Sequence, residues 1–492
     1  MIKRLFFLLP FSTIVSANEP DTIQVKRIDL DEVTIVAFKQ NTPNREPLSI
    51  STLDNRFLKE NEISGAKDLS SLLPNFYMPD YGSKQNSPVY IRGIGAKKDA
   101  PSVGFYVDGI PYFETSAFDI DLSDISSIEV LRGPQGTLYG RNSIGGTINV
   151  YTHSPLDYQG TYFRLGYGSY NDMRLIASNY TKVNEQLGLS FSGNYHHNDG
   201  FFTNLHTHKK ADKLDNGAGR IGLTWKPAAH WTTRFITSYE YSNQGGYPYG
   251  LYNADKGTTE AVNYNNEGLY RRNLLTSGIN IRYNGPHISF NSQTSYQYIQ
   301  DKMGIDQDFS PRNIFYGQNK IRQHMYCQEF TVKSVNKSRY HWITGAFVFR
   351  QTINRKVDLS RFTDTTRHLT NSGIPTQGIA FYHQSTLDLL QGLSCSVGLR
   401  YDYEHARCDF SKVQQPLNGN GETKSLEQFN RSLHFGQFTP RFSMQYLSSH
   451  NQLFYASVSK GYKAGGFNVS FLNNDDYLYS SFIPPNITGI TK

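Results

Sequence analysis

A chain of 492 residues, 38% apolar and 18% charged, with a formal net charge of +7, is long enough for more than one domain. Its basic residues are scattered, with runs no longer than pairs such as Lys97-Lys98 and Lys209-Lys210, which excludes a nucleic-acid patch. Three cysteines, Cys327, Cys395 and Cys408, are too few for a disulfide scaffold and lack metal-ligand spacing, although Cys395 and Cys408 are able to pair in an oxidising compartment.

The mean hydropathy is negative, yet the chain is 14% aromatic, with 34 Tyr and 31 Phe. No run of about 18 apolar residues follows the N-terminus, so a helical membrane span is excluded. A transmembrane β-barrel hides its hydrophobicity in this way, because lipid-facing residues alternate with polar lumen residues and aromatics form belts. A Tyr-rich soluble sandwich has the same composition, so composition leaves both open.

At the N-terminus, Lys3 and Arg4 precede an apolar core from Leu5 to Val15, and Val15-Ser16-Ala17 supplies small residues for cleavage. Residues 1–17 therefore read as a secretory signal, too short to span a bilayer. No Cys follows the core, so a lipid anchor is not expected. Residues 18–47 form a polar arm containing the β-prone stretch Asp31 to Ala37. Such a stretch either adds to a partner's sheet edge or serves as an edge strand of this fold.

Residues 48–153 read as a compact α+β domain. A short strand begins at Leu48, Asp54 caps a helix towards Glu60, and Ser64 caps a second helix whose apolar face is Ala66, Leu69, Leu72 and Leu73, stopped by Pro74. Val89 and Ile91 alternate with polar neighbours, as do Val103, Phe105 and Val107 before the turn pair Asp108-Gly109. Further strands are expected at Ile128 to Arg132 and Thr147 to Tyr151.

From about residue 156 helical periodicity disappears. Leu187, Leu189, Phe191 and Tyr195 oppose Ser190, Ser192 and Asn194, and Val397, Leu399, Tyr401 and Tyr403 oppose Gly398, Arg400, Asp402 and Glu404. Trp231, Phe235, Tyr239 and Tyr241 oppose Arg234, Ser238 and Glu240, a pattern that Ile236 breaks. One charged face and one apolar face suit a wet lumen and a lipid exterior, so residues 156–492 read as a barrel.

The segment from Ile128 to Val150 is Gly-rich, but the spacing of Gly133, Gly136 and Gly140 fits neither a dinucleotide fingerprint nor a Walker loop. It closely resembles the plug signature of TonB-dependent receptors. Val89 to Gly95 and Val103 to Ile110 resemble two further plug motifs in the expected order, and Gly166 to Asp172, Asn198 to Asn204, Gly398 to Tyr401, Thr439 to Arg441 and Tyr455 to Asn468 resemble barrel features.

The resemblance implies an α+β plug domain followed by an antiparallel transmembrane β-barrel in the outer membrane. It makes Glu32, Val33, Thr34, Ile35 and Val36 the TonB box, the strand lent to the energy-transducing TonB protein. Its plug signature falls on Arg92, Gly93, Asp108, Gly109, Glu129, Arg132, Gly133, Pro134, Gly136, Tyr139, Gly140, Arg141, Gly145 and Gly146. These residues are read as structural and mechanical: Gly133 and Gly136 flank Pro134 in a tight turn, and Gly145-Gly146 lets backbone pass close to backbone. Glu129, Arg132 and Arg141 are charges that a polar lumen wall is able to pair. Cargo is expected near the apical loops, with Tyr81, Lys97, Lys98, Tyr112 and Phe113 as contacts or as ordinary loop residues.

The implied cargo is a ferric siderophore or similar iron complex; haem, cobalamin, a glycan, or a non-transporting remnant or binding protein are the alternatives. A monomer is expected, with no cofactor, resident metal, nucleophile–base pair or enzyme activity. His196-His197 and His206-x-His208 are read as loop histidines because no acidic or sulfur ligand completes a metal site. Family barrels have about 22 strands, whereas roughly 12 to 14 are expected here at about 25 residues per strand and connection. The chain is therefore expected to be a partial barrel: truncated, split, or completed by a second polypeptide, since open edges in lipid are costly.

Overall fold

The computed structural model describes Lys39 and residues 48–85, 87–96, 100–335, 338–450, 452–467 and 469. The signal segment, the Glu32 to Val36 box, Lys97 and Lys98 lie outside the described residues. All that is described belongs to one compact unit, Val36–Lys492.

The plug begins with β1 (Ser49–Asp54) and α1 (Asn55–Glu60), capped by the Asp54 carboxylate, which accepts from Phe57 N at 2.7 Å. The second expected helix is instead a single 3₁₀ segment, Ala66–Ser71. The Asp68 carboxylate reaches back to Ser64 N and Gly65 N, both at 2.9 Å, and this tight local satisfaction replaces a cap by Ser64. A small sheet follows, β2 (Phe76–Tyr77), β3 (Tyr90–Ile91) and β4 (Ile94–Gly95). Then come β5 (Val103–Val107), β6 (Ile110–Tyr112), β7 (Ser127–Arg132), α2 (Gly136–Tyr139) and β8 (Gly146–Tyr151). The main plug sheet has the order β1-β7-β8-β5-β6, with β5 parallel to β8. Its core holds Ile91, Phe105, Phe118, Ile128, Val130 and Ile148, all at most 1% exposed.

The wall is one 14-stranded antiparallel sheet. It runs through β9 (Gly160–Gly168), β10 (Asp172–Lys182), β11 (Leu187–Asn198), β12 (Leu214–Ala228) and β13 (Trp231–Gln244). A loop carrying the hairpin β14 (Tyr252–Asn253) and β15 (Thr258–Thr259) leads to β16 (Leu269–Asn284), β17 (Ile288–Asp306) and β18 (Phe315–Ser334). Then follow β19 (Tyr340–Arg361), β20 (Thr366–Leu390), β21 (Leu393–Pro416), β22 (Lys424–Phe438), β23 (Arg441–Leu447) and β24 (Leu453–Ser459). Both β22 and β23 pair with β21, so they are one strand interrupted at Thr439-Pro440. The edge strands β9 and β24 do not pair with each other.

Connections at one end of the wall are short, as at 228–231, 284–288 and 390–393; those at the other include the long ones, as at 198–214 and 244–269. Trp225, Trp231 and Tyr283 mark the short-turn side of the outer face, with Trp231 and Tyr283 rings 5.0 Å apart. Tyr239, Tyr241, Tyr296, Tyr326, Tyr401 and Tyr403 mark the long-loop side, and Tyr296 and Tyr326 stand 4.9 Å apart. Between them Ile221, Phe235, Ile279, Phe330 and Val348 are exposed, the apolar band of a membrane-facing sheet. No helix of the described residues is long and apolar enough to cross a membrane.

Many inward positions are polar, and the apolar ones fall where the plug leans on the wall and in a separate cluster around Cys408 and Phe410. Ile236, Leu274 and Ile299 join the plug's apolar core, which explains why Ile236 breaks the alternation of β13. Cys395 and Cys408 sit at odd and even positions of β21, hence on opposite faces, and all three cysteines are free. That geometry rules out the Cys395–Cys408 pairing.

The outer band yields a test. Ile279→Arg puts a cation at its centre and is expected to lower stability in lipid vesicles by about 2–4 kcal/mol in a denaturant titration. Ile279→Leu should stay within about 1.5 kcal/mol of the parent. Equal stability for the Arg variant would move the lipid-facing band elsewhere.

Candidate functional site

The densest contacts between plug and wall lie along the Gly-rich segment. After β7 the chain turns at Gly133 (φ +96°) and enters α2 at Gly136. A Cβ on Gly136 would lie 2.7 Å from the carbonyl oxygen of Lys460, so only glycine allows this approach. Thr137 Oγ1 donates to the Thr439 carbonyl at 3.0 Å, and Thr439 Oγ1 donates to the Gly136 carbonyl at 3.3 Å. The short helix thus docks at the interruption between β22 and β23.

Gly140 (φ +74°) follows, and a Cβ there would overlap the guanidinium of Arg400 on β21. Asp402 grips that guanidinium with two bonds of 2.8 Å, and it lies 5.4 Å from the ring centre of Tyr382. Next, Arg141 is sandwiched between Phe113 and Phe349 at 4.6 and 4.9 Å, with Nη1 3.3 Å from Glu404 Oε2. Both members of this ion pair are buried, at 8% and 2% side-chain exposure.

Of Glu129, Arg132 and Arg141, the last alone meets a wall residue of opposite charge, Glu404. Arg132 donates within the plug to the Pro74 carbonyl at 3.1 Å and Ser51 Oγ at 2.9 Å. Glu129 accepts from Tyr151 Oη at 3.0 Å. Burial pushes the Glu129 carboxyl up to about 7, against the bonds from Tyr151 and Asn149. Tyr139 Oη accepts from Asn149, and its carbonyl accepts from Tyr106 Oη at 3.0 Å. Gly146 (φ +144°) leaves no room for a Cβ beside the Leu131 carbonyl.

Two other signature pairs are hairpin corners: Arg92-Gly93 (φ +52° and +77°) and Asp108-Gly109 (φ +49° and +81°). Asp108 also serves the seam. It accepts from Thr152 N and Oγ1 at 3.0 and 2.7 Å and lies 3.3 Å from Arg234 Nη1 of β13.

A second charged contact lies nearer the long loops. Arg272 of β16, 1% exposed, donates to the carbonyls of Ser116 and Asp119 at 2.6 and 2.9 Å and pairs with Glu240 at 2.9 Å. Lys67 and Lys84 approach the Asp119 carboxylate at 3.4 and 3.8 Å. Burial alone would raise the Asp119 pKa, but Lys84, Lys67 and Arg272 hold it below the usual carboxylate range. Burial lowers Lys84 in spite of Asp119.

At the apex, Ser83 Oγ and Tyr247 Oη are 2.7 Å apart, and Tyr249 Oη donates to the Tyr81 carbonyl at 2.6 Å. Tyr81 is half-buried there. Tyr112 and Phe113 are only 4% and 6% exposed: Tyr112 Oη donates to Thr276 Oγ1 at 3.2 Å, and Phe113 packs on Phe349. Their side chains are spent on the seam, because the β6 end is pressed against the wall. A cavity of about 930 Å³ lies between the plug and β9–β13, reaching from Lys59 and Glu62 to Pro248 and Tyr249.

Below the signature, Lys39 of the N-terminal arm is 3% exposed. Its Nζ donates to Glu329 Oε1 of β18 at 2.5 Å and to the Leu138 carbonyl of α2 at 2.8 Å. Burial lowers its pKa despite the Glu329 charge. His196 lies 3.2 Å from Asp172, and His197 lies 2.7 Å from Asp215 and 3.1 Å from Asp199. No group of three or more His, Cys, Asp or Glu among the described residues is arranged to hold a metal ion.

Lys39, Lys67, Lys84, Asp119, Glu240, Arg272 and Glu329 were not singled out as seam residues from the sequence. For Glu240, Arg272 and Glu329 the available signal was charge at inward positions of alternating strands, which gives the face and not the partner; Lys39, Lys67, Lys84 and Asp119 lie outside such strands and carried no such signal.

Residues 42–147 match the TonB-dependent Receptor Plug Domain family and residues 235–489 the TonB dependent receptor-like, beta-barrel family. The chain is 23% identical over 460 residues to the pesticin receptor of Yersinia pestis, covering 91% of this chain and 65% of the relative. It thus spans about two thirds of the length of that relative. In fold it is similar to the ferric yersiniabactin uptake receptor FyuA from Yersinia pestis, with TM-score 0.78 and 19% identity over 86% of this chain and 66% of that one. The ferric-catecholate import receptor Fiu from E. coli K12 in its open form gives TM-score 0.68 and 13% identity, over 85% of this chain and 70% of that one.

Two tests follow from the seam. Arg141→Ala strands a buried Glu404 and should weaken plug seating by about 3–5 kcal/mol, whereas Arg141→Met with Glu404→Leu should recover most of that loss. Limited proteolysis of the plug and calorimetry read both; a double variant as weak as the single would show that shape, not charge, matters. Glu129 has a folded pKa above its unfolded one, so its contribution is greatest below about pH 4.5 and is lost as pH rises to about 7. On the order of 3 kcal/mol of plug stability should disappear across that window. Glu129→Gln should flatten the profile, and an unchanged slope would assign it to another group.

Proposed function

This chain belongs to the TonB-dependent receptor family, and on that premise we propose that it serves energised uptake of a ferric siderophore or a similar iron complex across the outer membrane. The observation that carries the reading is the plug seated inside the wall by its signature segment, through Gly136, Gly140 and Arg141 against Thr439, Arg400 and Glu404. On this reading, a lumen occupied by the plug does not serve as an open pore. Passage then requires the plug to yield, and work must be delivered to it.

The Glu32 to Val36 segment is the proposed point of delivery, as a strand added to the edge of TonB. Pairing through backbone groups tolerates sequence variation and resists a pull along the strand. Lys39 follows Val36 closely in sequence and is bonded at once to the wall at Glu329 and to the signature helix at the Leu138 carbonyl. Tension on the arm therefore acts on Lys39 before it reaches the plug sheet. Removing the Lys39 ammonium from Glu329 frees the helix that locks into the β22–β23 interruption.

The iron-complex reading is favoured by the kinds of receptor to which the chain is similar, which include those for ferric yersiniabactin and ferric catecholates. Cargo is proposed to meet the apex at Tyr81 with Tyr247 and Tyr249 of the facing loop, where phenol rings offer stacking surface and hydroxyl donors.

Uptake of radioactive iron by iron-starved cells carrying this gene as their single receptor tests the proposal. Ferric siderophore should accumulate, and Ile35→Pro should abolish accumulation while leaving surface binding intact, because proline cannot donate to the added strand. Lys39→Met should alter the rate of uptake and not the binding. Unimpaired uptake by Ile35→Pro would remove the TonB-box assignment; accumulation of haem or cobalamin instead of ferric siderophore would redirect the cargo.

A further inference from the structure

Part of the outer face of four neighbouring wall strands carries charge of a single sign; beyond it, Asp358 on the same face of β19 is engaged by Arg367 at 4.0 Å. The pairing register sets Arg271 of β16 opposite Lys302 of β17, Lys302 opposite Lys320 of β18, and Lys320 opposite Lys356 of β19. Four cations thus stand in one row. Arg322 lies on the same face of β18, two residues along from Lys320, and Arg350 stands opposite Tyr326.

Outward positions from Arg271 to Tyr283, Ile288 to Lys302, Lys320 to Val332 and Tyr340 to Lys356 contain no Asp or Glu. Glu329 and Asp301 of these strands point inward and are buried. The row is flanked by neutral residues, Asn243 opposite Arg271 and Asn371 opposite Lys356. Arg271 Nε donates to Asn243 Oδ1 at 3.2 Å, and none of the six cations forms an ion pair with a described carboxylate.

Like charges directly opposite in a sheet are about 5 Å apart at Cβ and destabilise it. One such pair relieves itself by splaying. Lys302 and Lys320 cannot, because each has a cation on both sides. The row needs an anion from outside the protein.

Its level says which anion. On β17 the row stands four residues beyond Tyr298, about 13 Å along the strand. Below the tyrosines lie Ile279, Phe330 and Val348, the apolar band. The cations therefore sit just outside the hydrocarbon, where lipid headgroups lie. Resting on the membrane reading above, we propose that Arg271, Lys302, Lys320 and Lys356 form a binding row for phosphate-bearing lipid headgroups of the leaflet on the long-loop side. With strands about 4.8 Å apart, the row extends about 14 Å, long enough to span a headgroup with two separated phosphates.

The test uses the full chain, purified in uncharged detergent, with diphosphoryl lipid A as probe and native mass spectrometry as readout. Fully dephosphorylated lipid A, phosphatidylethanolamine and inorganic phosphate are the comparison arms. Diphosphoryl lipid A should be retained. The combined Arg271→Gln, Lys302→Gln, Lys320→Gln and Lys356→Gln variant should lose more than about tenfold in retention, while Lys182→Gln with Lys226→Gln, near the short turns, should lose nothing. Lys320→Glu supplies a second, opposite sign: it should raise thermal stability in lipid-free detergent and lower lipid retention. Equal retention by the parent and the fourfold variant overturns the proposal, as does full displacement by inorganic phosphate, which would reduce the row to an adventitious ion site. Uptake plays no part in these readouts, so failure here is distinct from failure of the transport reading.

Discussion

The fit of Gly140 against Arg400 is the contact on which the position of the plug depends. Arg400 is restrained, because Asp402 holds it in two bonds and the Tyr382 ring lies beside it. The signature segment must therefore accommodate the wall, and only a residue without Cβ does so. The neighbouring contacts inherit this registration: Gly136 lies against Lys460, Thr137 reaches Thr439, and Arg141 reaches Glu404. The glycines are thus a cast of the wall rather than a flexible tether.

The seam is divided by chemistry. Where the plug sheet leans on β13, β16 and β17, the wall supplies Ile236, Leu274 and Ile299, and burial there contributes ordinary apolar stabilisation. Elsewhere ion pairs cross to the wall at Arg141–Glu404, Asp108–Arg234 and Lys39–Glu329, while Arg400 and Arg272 beside the plug are held by the wall carboxylates Asp402 and Glu240. Buried ion pairs of this kind contribute little net stability once desolvation is counted, but each strongly penalises a misplaced partner. The plug is therefore located more by its charges than it is held by them.

Much of this was legible in the chain, for reasons that differ by element. The period-2 alternation of β11, β13 and β21 gave the wall because its two faces meet different media, and the expected 12 to 14 strands agree with the 14 segments among the described residues, or 13 strands with β22 and β23 taken as one. The break at Ile236 was visible but not its cause, since nothing local says which lumen position will meet the plug. The helix expected after Ser64 is not an α-helix, because the carboxylate of Asp68 folds back on the preceding amides and favours a tight six-residue 3₁₀ segment. Seam partners were illegible for a simpler reason: Thr137 and its acceptor at Thr439 are 302 positions apart, and only the folded wall brings them together.

A charged seam also suits a domain that must move. An apolar interface loses contact area gradually as it opens, and water enters a surface that resists wetting. An ion pair such as Lys39–Glu329 loses most of its short-range attraction within a few ångströms, and both ends are then solvated favourably. Once pulled past that distance, the separated groups gain hydration and the dry contact does not immediately re-form. The apolar patch at Ile236, Leu274 and Ile299 lies on the other part of the seam and keeps the plug sheet anchored. The breakable pairs Lys39–Glu329 and Arg141–Glu404 thus lie next to the arm and along the signature, where Leu138 and Tyr139 also pack on Ile343 and Tyr382 of the wall.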